Sequence, residues 1–299
     1  MHISFVGFGE AARAFAESLK EAHPELDLSA YDVLQEPAGA PERRSALMDA
    51  AERTGVHLAA TPEQAVAHAD WVISAVTASS SADAAASVAG KLPQACVYFD
   101  INSVSGGCKQ ASARLIEGTG AVYIDMAVMA PVHPLGHRTP VLVAGPLTGK
   151  LRDELTALDF KFRCVGDEAG RATTIKMVRS LFVKGQEAIT VQCLMAAKAA
   201  GCLDEVRGSL EASFPELGWP DFASYRFERV ARHGIRRAEE MRESAKTMDE
   251  LGYGAGGQMA RAVADIQQQV AQLEVDQSVL DQSLEDILAA LPVPSKTPG

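Results

Sequence analysis

Four polar residues recur at helical spacing in the segment that begins at Gly166. Lys176, Ser180, Lys184 and Glu187 stand at i, i+4, i+8 and i+11, so they share one face of a helix. The simplest interpretation of such a stripe is a solvated face, because most helical lysines lie with the stem on apolar surface and the amine in water. The chemical interpretation is an active site. Burial and neighbouring positive charge can lower the pKa of a lysine until it accepts a substrate proton.

A glycine-rich turn near the N-terminus predicts a nucleotide site. The apolar residues 3–6 predict a strand, and an amphipathic helix pattern follows the turn. Gly7 permits a tight turn, Gly9 lets the backbone approach a pyrophosphate, and Ala12 keeps the helix close to the strand. The residues expected to bind a dinucleotide here are Gly7, Phe8, Gly9, Glu10, Ala11 and Ala12.

The second predicted strand, residues 28–31, ends at Asp32. An acidic side chain at this distance from the glycine turn accepts hydrogen bonds from the adenosine ribose and repels a 2′-phosphate. The sequence therefore favours NAD over NADP, although Arg43 and Arg44 nearby count against that preference. An equally good interpretation of Asp32 alone is a turn or cap residue.

Two further strands, residues 71–76 and 97–100, should end at the same edge of the sheet. Ligands of such sheets bind at the carboxyl ends of the strands. Val76, Thr77, Asn102 and Ser103 are therefore expected to contact the cofactor, and Asn102 also the substrate. The competing interpretation of Asn102 and Ser103 is a helix cap for the segment after Val104.

A long segment, residues 126–138, follows a strand predicted at residues 121–125 and holds two prolines and two histidines. Loops of this length in a compact domain are usually functional. His133 and His137 have i, i+4 spacing, but Pro134 between them prevents the helix that would aim both at a metal, so no metal is expected.

Composition and charge limit the function classes. The net charge of −11 argues against nucleic-acid binding, which requires a clustered basic face. The five cysteines are scattered without metal spacing, which is typical of reduced thiols in a cytoplasmic protein. We expect no signal peptide and no membrane span. Residues 292–299 are polar and Pro-rich, which predicts a frayed tail.

The second half of the chain has the pattern of an all-helical domain. Helices are predicted at residues 166–200, 203–213 and 221–251, with a last helical segment up to residue 291. On the third of these, Arg226, His233, Arg237 and Ser244 share a stripe. Its arginines and histidine either bind a substrate carboxylate or form a network with Glu239, Glu240 and Glu243, which could lie at a contact between subunits. The network is the favoured interpretation. The predicted domains are residues 1–165 and 166–299.

These residues together resemble the β-hydroxyacid dehydrogenase superfamily, which includes 3-hydroxyisobutyrate and 6-phosphogluconate dehydrogenases. The resemblance rests on the glycine turn, on residues 30–33, on residues 100–103, and on Gly166 and Gly170 followed by Lys176. Residues 236–241, Arg-Arg-Ala-Glu-Glu-Met, resemble a subgroup of unassigned substrate.

The resemblance implies a fold, a cofactor and roles for residues. The fold is α/β, a Rossmann-type doubly wound parallel sheet with an all-α C-terminal domain that forms a homodimer. Lys176 is the catalytic lysine, and Ser180 replaces the family's asparagine four residues later. In the substrate loop, Met129 replaces the family's serine, which leaves the substrate unidentified. The residues expected to bind a small-molecule substrate are Asn102, Val128, Met129, Ala130, Lys184, His233 and Arg237.

The expected function is hydride transfer between NAD or NADP and a small 3-hydroxy acid or related alcohol, with Lys176 as general acid and base and Ser180 beside it. Two alternatives remain open on the sequence. One is an imine reductase, although related imine reductases usually replace the lysine. The other is a non-catalytic protein that senses or holds a dinucleotide.

Overall fold

The computed structural model describes residues 1–35, 41–273 and 275–292. The chain forms two compact units, Met1–Lys176 and Met177–Gly299, which divide within one long helix. The domain boundary predicted after residue 165 falls at the end of a strand instead, and the first residues of the long helix pack with the first unit. The tail predicted at residues 292–299 lies outside the described residues from 293 onward.

The first unit is built on one eight-stranded sheet with the order β3-β2-β1-β4-β5-β6-β7-β8. The strands are β1 His2–Val6, β2 Asp27–Tyr31, β3 His57–Leu58, β4 Trp71–Ser74, β5 Val97–Asp100, β6 Val122–Val128, β7 Val141–Ala144 and β8 Phe162–Gly166. The first six strands are parallel to one another in the 3-2-1-4-5-6 order of a dinucleotide-binding sheet. β7 is antiparallel to β6, and β8 is parallel to β7. The predicted doubly wound fold is thus confirmed, with two reversed strands at one edge.

Helices cover both faces of this sheet because its strands alternate apolar side chains between two cores. Phe5 and Phe99 belong to one buried cluster, whereas Val6 and Tyr98 belong to the other. The helices are α1 Glu10–Ala22, α2 Pro41–Thr54, α3 Pro62–Val66, α4 Ser81–Val88, α5 Gly106–Glu117, α6 Gly149–Ala157 and α7 Arg171–Ala200.

Three sequence predictions in this unit are wrong. The strand predicted at residues 71–76 ends at Ser74. Residues 126–128, predicted as loop, extend β6, because Met126 and Val128 pair with Val143 and Val141 of β7. The helix predicted from residue 166 begins only at Arg171. Gly170 has a φ of +93°, in the left-handed region, and cannot be part of a right-handed helix.

The second unit is helical, as predicted. It contains the remainder of α7, then α8 Leu203–Ser213, α9 Asp221–Glu250, α10 Gly254–Ala271 and α11 Leu284–Ala290. α9 and α10 approach so closely at Gly234 that a Cβ there would lie 2.2 Å from the carbonyl oxygen of Gln267. The last segment is two helices rather than one, because Ser283 accepts a hydrogen bond from the Asp286 N–H and starts α11 anew. Among the described helices of either unit, none is both long and apolar enough to cross a bilayer.

A buried lysine joins three elements of the first unit. Lys109 of α5 is fully buried, and its Nζ lies 2.8 Å from Oδ1 of Asp100 and 3.5 Å from Oδ1 of Asp125. It also donates to the main-chain oxygen of Asp100 at 2.5 Å. Tyr123 donates its hydroxyl hydrogen to the other Asp100 oxygen at 2.7 Å. These contacts tie α5 to the end of β5 and to the middle of β6.

We predict that Lys109→Met lowers the free energy of unfolding by about 3–5 kcal/mol, since two buried carboxyl groups would lose their cationic partner. Urea unfolding followed by circular dichroism measures the change. Lys91→Met, at an exposed lysine of the same unit, is the matched control and should change the free energy by less than about 0.5 kcal/mol. Equal unfolding midpoints for both variants would contradict a stabilising role for the buried cluster.

Candidate functional site

Three chain segments meet where β1, β4 and β5 end. Val6 lies beside Ser74, and Ser74 lies beside Asp100, so the three strands finish in register. The next residues continue the contact, since the Ala75 N–H donates to the Val6 carbonyl and the Ile101 N–H to the Ser74 carbonyl. The glycine turn and the loops after β4 and β5 are therefore neighbours at one edge of the sheet.

The glycine turn has no room for a side chain at its first position. Gly7 has a φ of +86°, and a Cβ there would lie 2.5 Å from Cγ1 of Val76 and 2.6 Å from the Ala75 oxygen. Gly9 is exposed, and a Cβ there would meet nothing within 4 Å. Of the residues that the structure describes, none caps α1 through its side chain.

The start of α1 can therefore receive an anion. The N–H groups of Glu10, Ala11 and Ala12 belong to the first turn, where helix geometry gives no intrahelical acceptor. Ala12 is fully buried against the strand, as its predicted role requires. An open helix N-terminus beside a glycine turn suits the pyrophosphate of a dinucleotide.

Asp32 connects the end of β2 to this turn. One carboxylate oxygen accepts a hydrogen bond from the Phe8 N–H at 2.7 Å, and the other accepts one from the Leu34 N–H at 2.9 Å. The second contact is the turn role that the sequence allowed. The first one places the negative charge of Asp32 directly at the glycine turn.

Asn102 holds two loops together. Its Oδ1 accepts from the Val76 N–H at 2.7 Å, while its Nδ2 donates to the hydroxyls of Ser74 and Ser81. The alternative interpretation of Asn102 as a helix cap is wrong, because Ser105 takes that position through a bond from the Cys108 N–H. The buried amide of Asn102 fixes the loop that carries Val76 and leads into Thr77.

Thr77 begins the short turn Ala78–Ser80 after β4, and its hydroxyl lies 3.2 Å from those of Ser79 and Ser80. This exposed hydroxyl cluster lies two residues beyond the contact between Gly7 and Ala75. It belongs to the loop that faces the glycine turn.

Lys176 reaches the loop after β5. Its Nζ donates to the Ser103 hydroxyl oxygen at 2.7 Å, and its side chain is half-buried. A fully solvated lysine, the simplest interpretation of the sequence, is therefore wrong for this residue. Ser103 and Lys176 are brought together although 73 residues separate them in the chain.

Lys109 was missed by sequence reasoning, although a signal for it exists. On α5 it lies on the same face as Ala113 and Ile116, at i, i+4 and i+7, and all three are buried. A charged residue in the apolar stripe of a helix indicates a buried ion pair.

The predicted substrate loop lies beside an open cleft. Val128 is buried at the end of β6, Met129 is half-buried, and Ala130 is exposed. The cleft has a volume of about 610 Å³. Its lining is Met129, Pro140, Val141, Leu142, Thr156, Phe160, Lys161, Phe162 and Arg163, which combines an apolar wall with two cationic groups.

In the second unit the polar stripe of α7 is buried rather than solvated. Ser180, Lys184 and Glu187 are each only 5–6% exposed. Lys184 lies 2.7 Å from a carboxylate oxygen of Glu240 on α9, and its Nζ donates to the Ser180 hydroxyl at 3.3 Å. This amine is already paired within the unit.

Arg237 is paired in the same way. Its Nη2 donates to both carboxylate oxygens of Glu187, and Gln267 donates to one of them at 3.1 Å. The network interpretation of Arg237 is therefore favoured, and the partner observed is Glu187 of α7, an acidic residue outside the predicted set of Glu239, Glu240 and Glu243.

His233 lies on the same helix as Arg237, near Arg229 and Arg236. Burial and these two arginines lower the pKa of His233 below its usual value, so its neutral form is favoured near pH 7.

A search of the described part of the chain gives no group of three or more histidine, cysteine or acidic residues arranged for a metal ion. Of the two loop histidines, His137 is buried, with its Nδ1 2.7 Å from the Ser18 hydroxyl. Burial lowers the pKa of His137 to about 4. This ring belongs to the contact between α1 and the turn Gly136–Arg138.

Two family models match separate parts of the chain. Residues 2–101 match the family described as NADP oxidoreductase, coenzyme F420-dependent. Residues 197–270 match a domain of unknown function, DUF1932. The first match covers the glycine turn and the strands up to β5.

Two relatives align over most of the chain. A conserved hypothetical protein from Sinorhizobium meliloti 1021 has a solved structure that is 32% identical, with a TM-score of 0.74, over 97% of this chain and 95% of that one. An uncharacterised 28.5 kDa protein of Methanothermus fervidus is 27% identical over 246 residues, which are 82% of this chain and 90% of the relative.

More distant solved structures share the fold. A 3-hydroxyisobutyrate dehydrogenase of Mycobacterium tuberculosis, solved with L-serine, has 16% identity and a TM-score of 0.69 over 93% of this chain and 97% of that one. An imine reductase of Myxococcus stipitatus in complex with NADP⁺ has 15% identity and a TM-score of 0.57 over 97% of this chain and 99% of that one.

The resemblance noted in the sequence is thereby confirmed. The S. meliloti protein is similar over nearly its whole length, the N-terminal model is that of a nucleotide-dependent oxidoreductase, and the sheet has the matching topology. The chain belongs to the β-hydroxyacid dehydrogenase-like superfamily of NAD(P)-dependent oxidoreductases.

Proposed function

We propose that this protein is a dehydrogenase that transfers hydride between NAD(P) and a small 3-hydroxy acid or related alcohol, with Lys176 as the general acid and base. The observation that carries the proposal is the hydrogen bond of 2.7 Å from the Lys176 amine to Ser103. This bond holds an amine at the edge of the sheet where ligands of such folds bind.

The residues at the glycine turn fit a dinucleotide. Gly7 is confined by Val76 and Ala75, Gly9 leaves its surroundings open, and the first N–H groups of α1 are available to a pyrophosphate. NAD(P), when bound, supplies the hydride acceptor or donor. Asp32 would carry the adenosine ribose, and Val76, Thr77 and Ser103 would flank the nicotinamide.

Lys176 would manage the proton of the reaction. In alcohol oxidation its unprotonated amine accepts the hydroxyl hydrogen of the substrate, and in reduction its ammonium returns that hydrogen. The Ser103 hydroxyl oxygen accepts a hydrogen bond from the amine. This bond limits the directions in which the lone pair and the other hydrogens of the nitrogen can point. A fixed orientation of this kind is the main way in which a side chain raises the rate of proton transfer.

Ser180, Lys184 and Arg237, expected from the sequence near the substrate, are better explained as a buried polar network. Lys184 is paired with Glu240, and Arg237 with Glu187. Truncation of one member of a buried pair leaves a charge without a partner, so these side chains stabilise the packing of α7 on α9. We therefore infer that these side chains fix how α7 and α9 align along each other.

The cleft beside Met129 supports a substrate that has both an apolar part and a carboxylate. Met129, Phe160 and Phe162 supply apolar surface, while Lys161 and Arg163 supply positive charge. Met129 packs against the same buried cluster as Ile175, the residue before Lys176.

The homodimer expected from the resemblance stays a prediction. Phe182 and Ile189 of α7 are 68% and 66% exposed within the described chain. Apolar side chains exposed to this degree on one helix support an association between copies.

Lys176→Ala should reduce kcat by about 10²–10⁴-fold, because the proton acceptor is lost, and should leave the Kd for NADH within about threefold. Ser103→Ala should reduce kcat less, by about tenfold, since the amine stays but loses its orientation. Turnover is measured as NADH absorbance, and cofactor binding as NADH fluorescence. Lys91→Ala, at an exposed lysine, is the matched control.

The outcomes of this experiment separate the alternatives. Imine reduction that persists in Lys176→Ala would favour the imine reductase alternative. NADH binding without lysine-dependent turnover of any hydroxy acid would favour a protein that senses or holds the dinucleotide, and would falsify the dehydrogenase proposal.

We predict that the protein prefers NADH to NADPH by at least about tenfold in Kd, because the carboxylate of Asp32 repels a 2′-phosphate. Asp32→Asn should narrow this ratio, mainly through tighter NADPH binding. Asp27→Asn removes the same charge from an exposed position at the start of β2 and should leave the ratio unchanged. Equal shifts in both variants would mean that net charge rather than the ribose contact sets the preference.

Among short, branched and aromatic 3-hydroxy acids assayed with both cofactors, those with an apolar substituent should show the highest kcat/KM. Met129→Ser should lower kcat/KM for these substrates by about 10–100-fold, since their apolar part would lose its contact, and should spare short polar ones. A uniform decrease for every substrate would argue against Met129 as a residue that selects the substrate.

A further inference from the structure

The helix that carries Lys176 is capped by a residue from another part of the first unit. The position before α7 is Gly170, which offers no side chain to the first N–H groups of the helix. Asp125 of β6 supplies the missing acceptor. Its Oδ2 accepts hydrogen bonds from the Gly170 N–H at 3.1 Å and the Thr173 N–H at 3.0 Å.

The same turn is held from a second side. A Cβ on Gly170 would lie 2.8 Å from the carbonyl oxygen of Gly106, so this glycine allows the start of α7 to rest on the start of α5. The Thr173 hydroxyl donates to the Val104 carbonyl at 2.5 Å. The first turn of α7 is therefore fixed to β6, to α5 and to the loop after β5.

Both partners of the Lys176–Ser103 bond adjoin these anchors. Lys176 follows Thr173 by three residues, close to one helical turn, and Ser103 directly precedes Val104. The Thr173 contacts therefore join the helical turn next to the amine to the segment that carries its acceptor.

The charge of Asp125 suits its position. Burial raises the pKa of this carboxyl group, while the ammonium of Lys109 and the Thr173 N–H oppose that rise. A carboxylate at a helix N-terminus interacts favourably with the helix dipole. Lys109, whose Nζ lies 3.5 Å from Oδ1, is the charge that accompanies Asp125 into the core.

We propose that Asp125 and Thr173 are positioning residues of the reaction, which set the Lys176 amine against Ser103 by fixing the first turn of α7. This inference rests on the proposed function for its effect on turnover. Its effect on the position of the amine can be measured without turnover.

The test compares Thr173→Val, Thr173→Ser, Asp125→Ala and Asp125→Asn in the full chain. Thr173→Val keeps the shape of the side chain but loses the bond to Val104, and should lower kcat by about 10–100-fold with an unchanged Kd for NADH. Thr173→Ser keeps the hydroxyl and should restore kcat to within about threefold of wild type. Asp125→Ala should be impaired more than Asp125→Asn, since the asparagine oxygen can still accept from the helix. If Asp125→Ala does not fold, the two Thr173 variants decide.

The second measurement is the acylation rate of Lys176 by an amine-reactive ester, obtained by mass spectrometry relative to Lys91 in the same chain. Thr173→Val should raise this ratio severalfold, because the amine loses its fixed hydrogen bond, and Thr173→Ser should not. Folded variants with wild-type kcat and a wild-type acylation ratio would overturn the positioning proposal. If the acylation ratio changes but the protein shows no lysine-dependent turnover, the positioning proposal is supported and the dehydrogenase function is rejected.

Discussion

The first unit depends on one buried cation. Lys109 is the cationic partner of Asp100, at the end of β5, and of Asp125, which lies beside Asp100 in the middle of β6. Without this cation the two carboxyl groups would repel each other in the core. Beside this shared cation, each carboxyl group also accepts main-chain hydrogen bonds. Asp100 accepts from the Asn102 N–H, and Asp125 from the start of α7. The loop with Ser103 and the helix with Lys176 are thus both held by carboxyl groups that contact Lys109.

The buried charges of this cluster need one another. Buried charges are tolerated where every partner is in place, and removal of one partner is strongly destabilising. The second unit also contains buried ion pairs, Lys184–Glu240 and Arg237–Glu187. Each unit therefore has buried ionic contacts between its secondary-structure elements, in addition to its apolar clusters.

Much of the fold could be predicted from the sequence because its signals are local. The turn at residues 7–12 lies between an apolar strand and an amphipathic helix, and α8 was predicted with its observed bounds. The extension of β6 to Val128 could not be predicted in this way. It depends on pairing with β7, which follows a segment rich in proline and histidine.

The candidate site shows the same difference between local sequence signals and contacts made by distant segments. The position of Lys176 could be predicted from a motif, and its contact with Ser103 could not, since the contact joins two residues that are 73 positions apart in the chain. The roles expected for Lys184 and Arg237 relied on their presence in a polar stripe. A stripe does not reveal which acidic residue of a neighbouring helix faces it, and here Glu240 and Glu187 do.

The reversal of β7 and β8 has an evolutionary consequence. Because these strands run against the other six, the segments that enter them, around Pro140 and Lys161, reach the edge where β6 ends. The walls of the cleft beside Met129 come from these entering segments, whereas the glycine turn and Asp32 belong to β1 and β2. Substitutions in these entering segments can therefore change the walls of the cleft in one lineage and leave the glycine turn and Asp32 as they are.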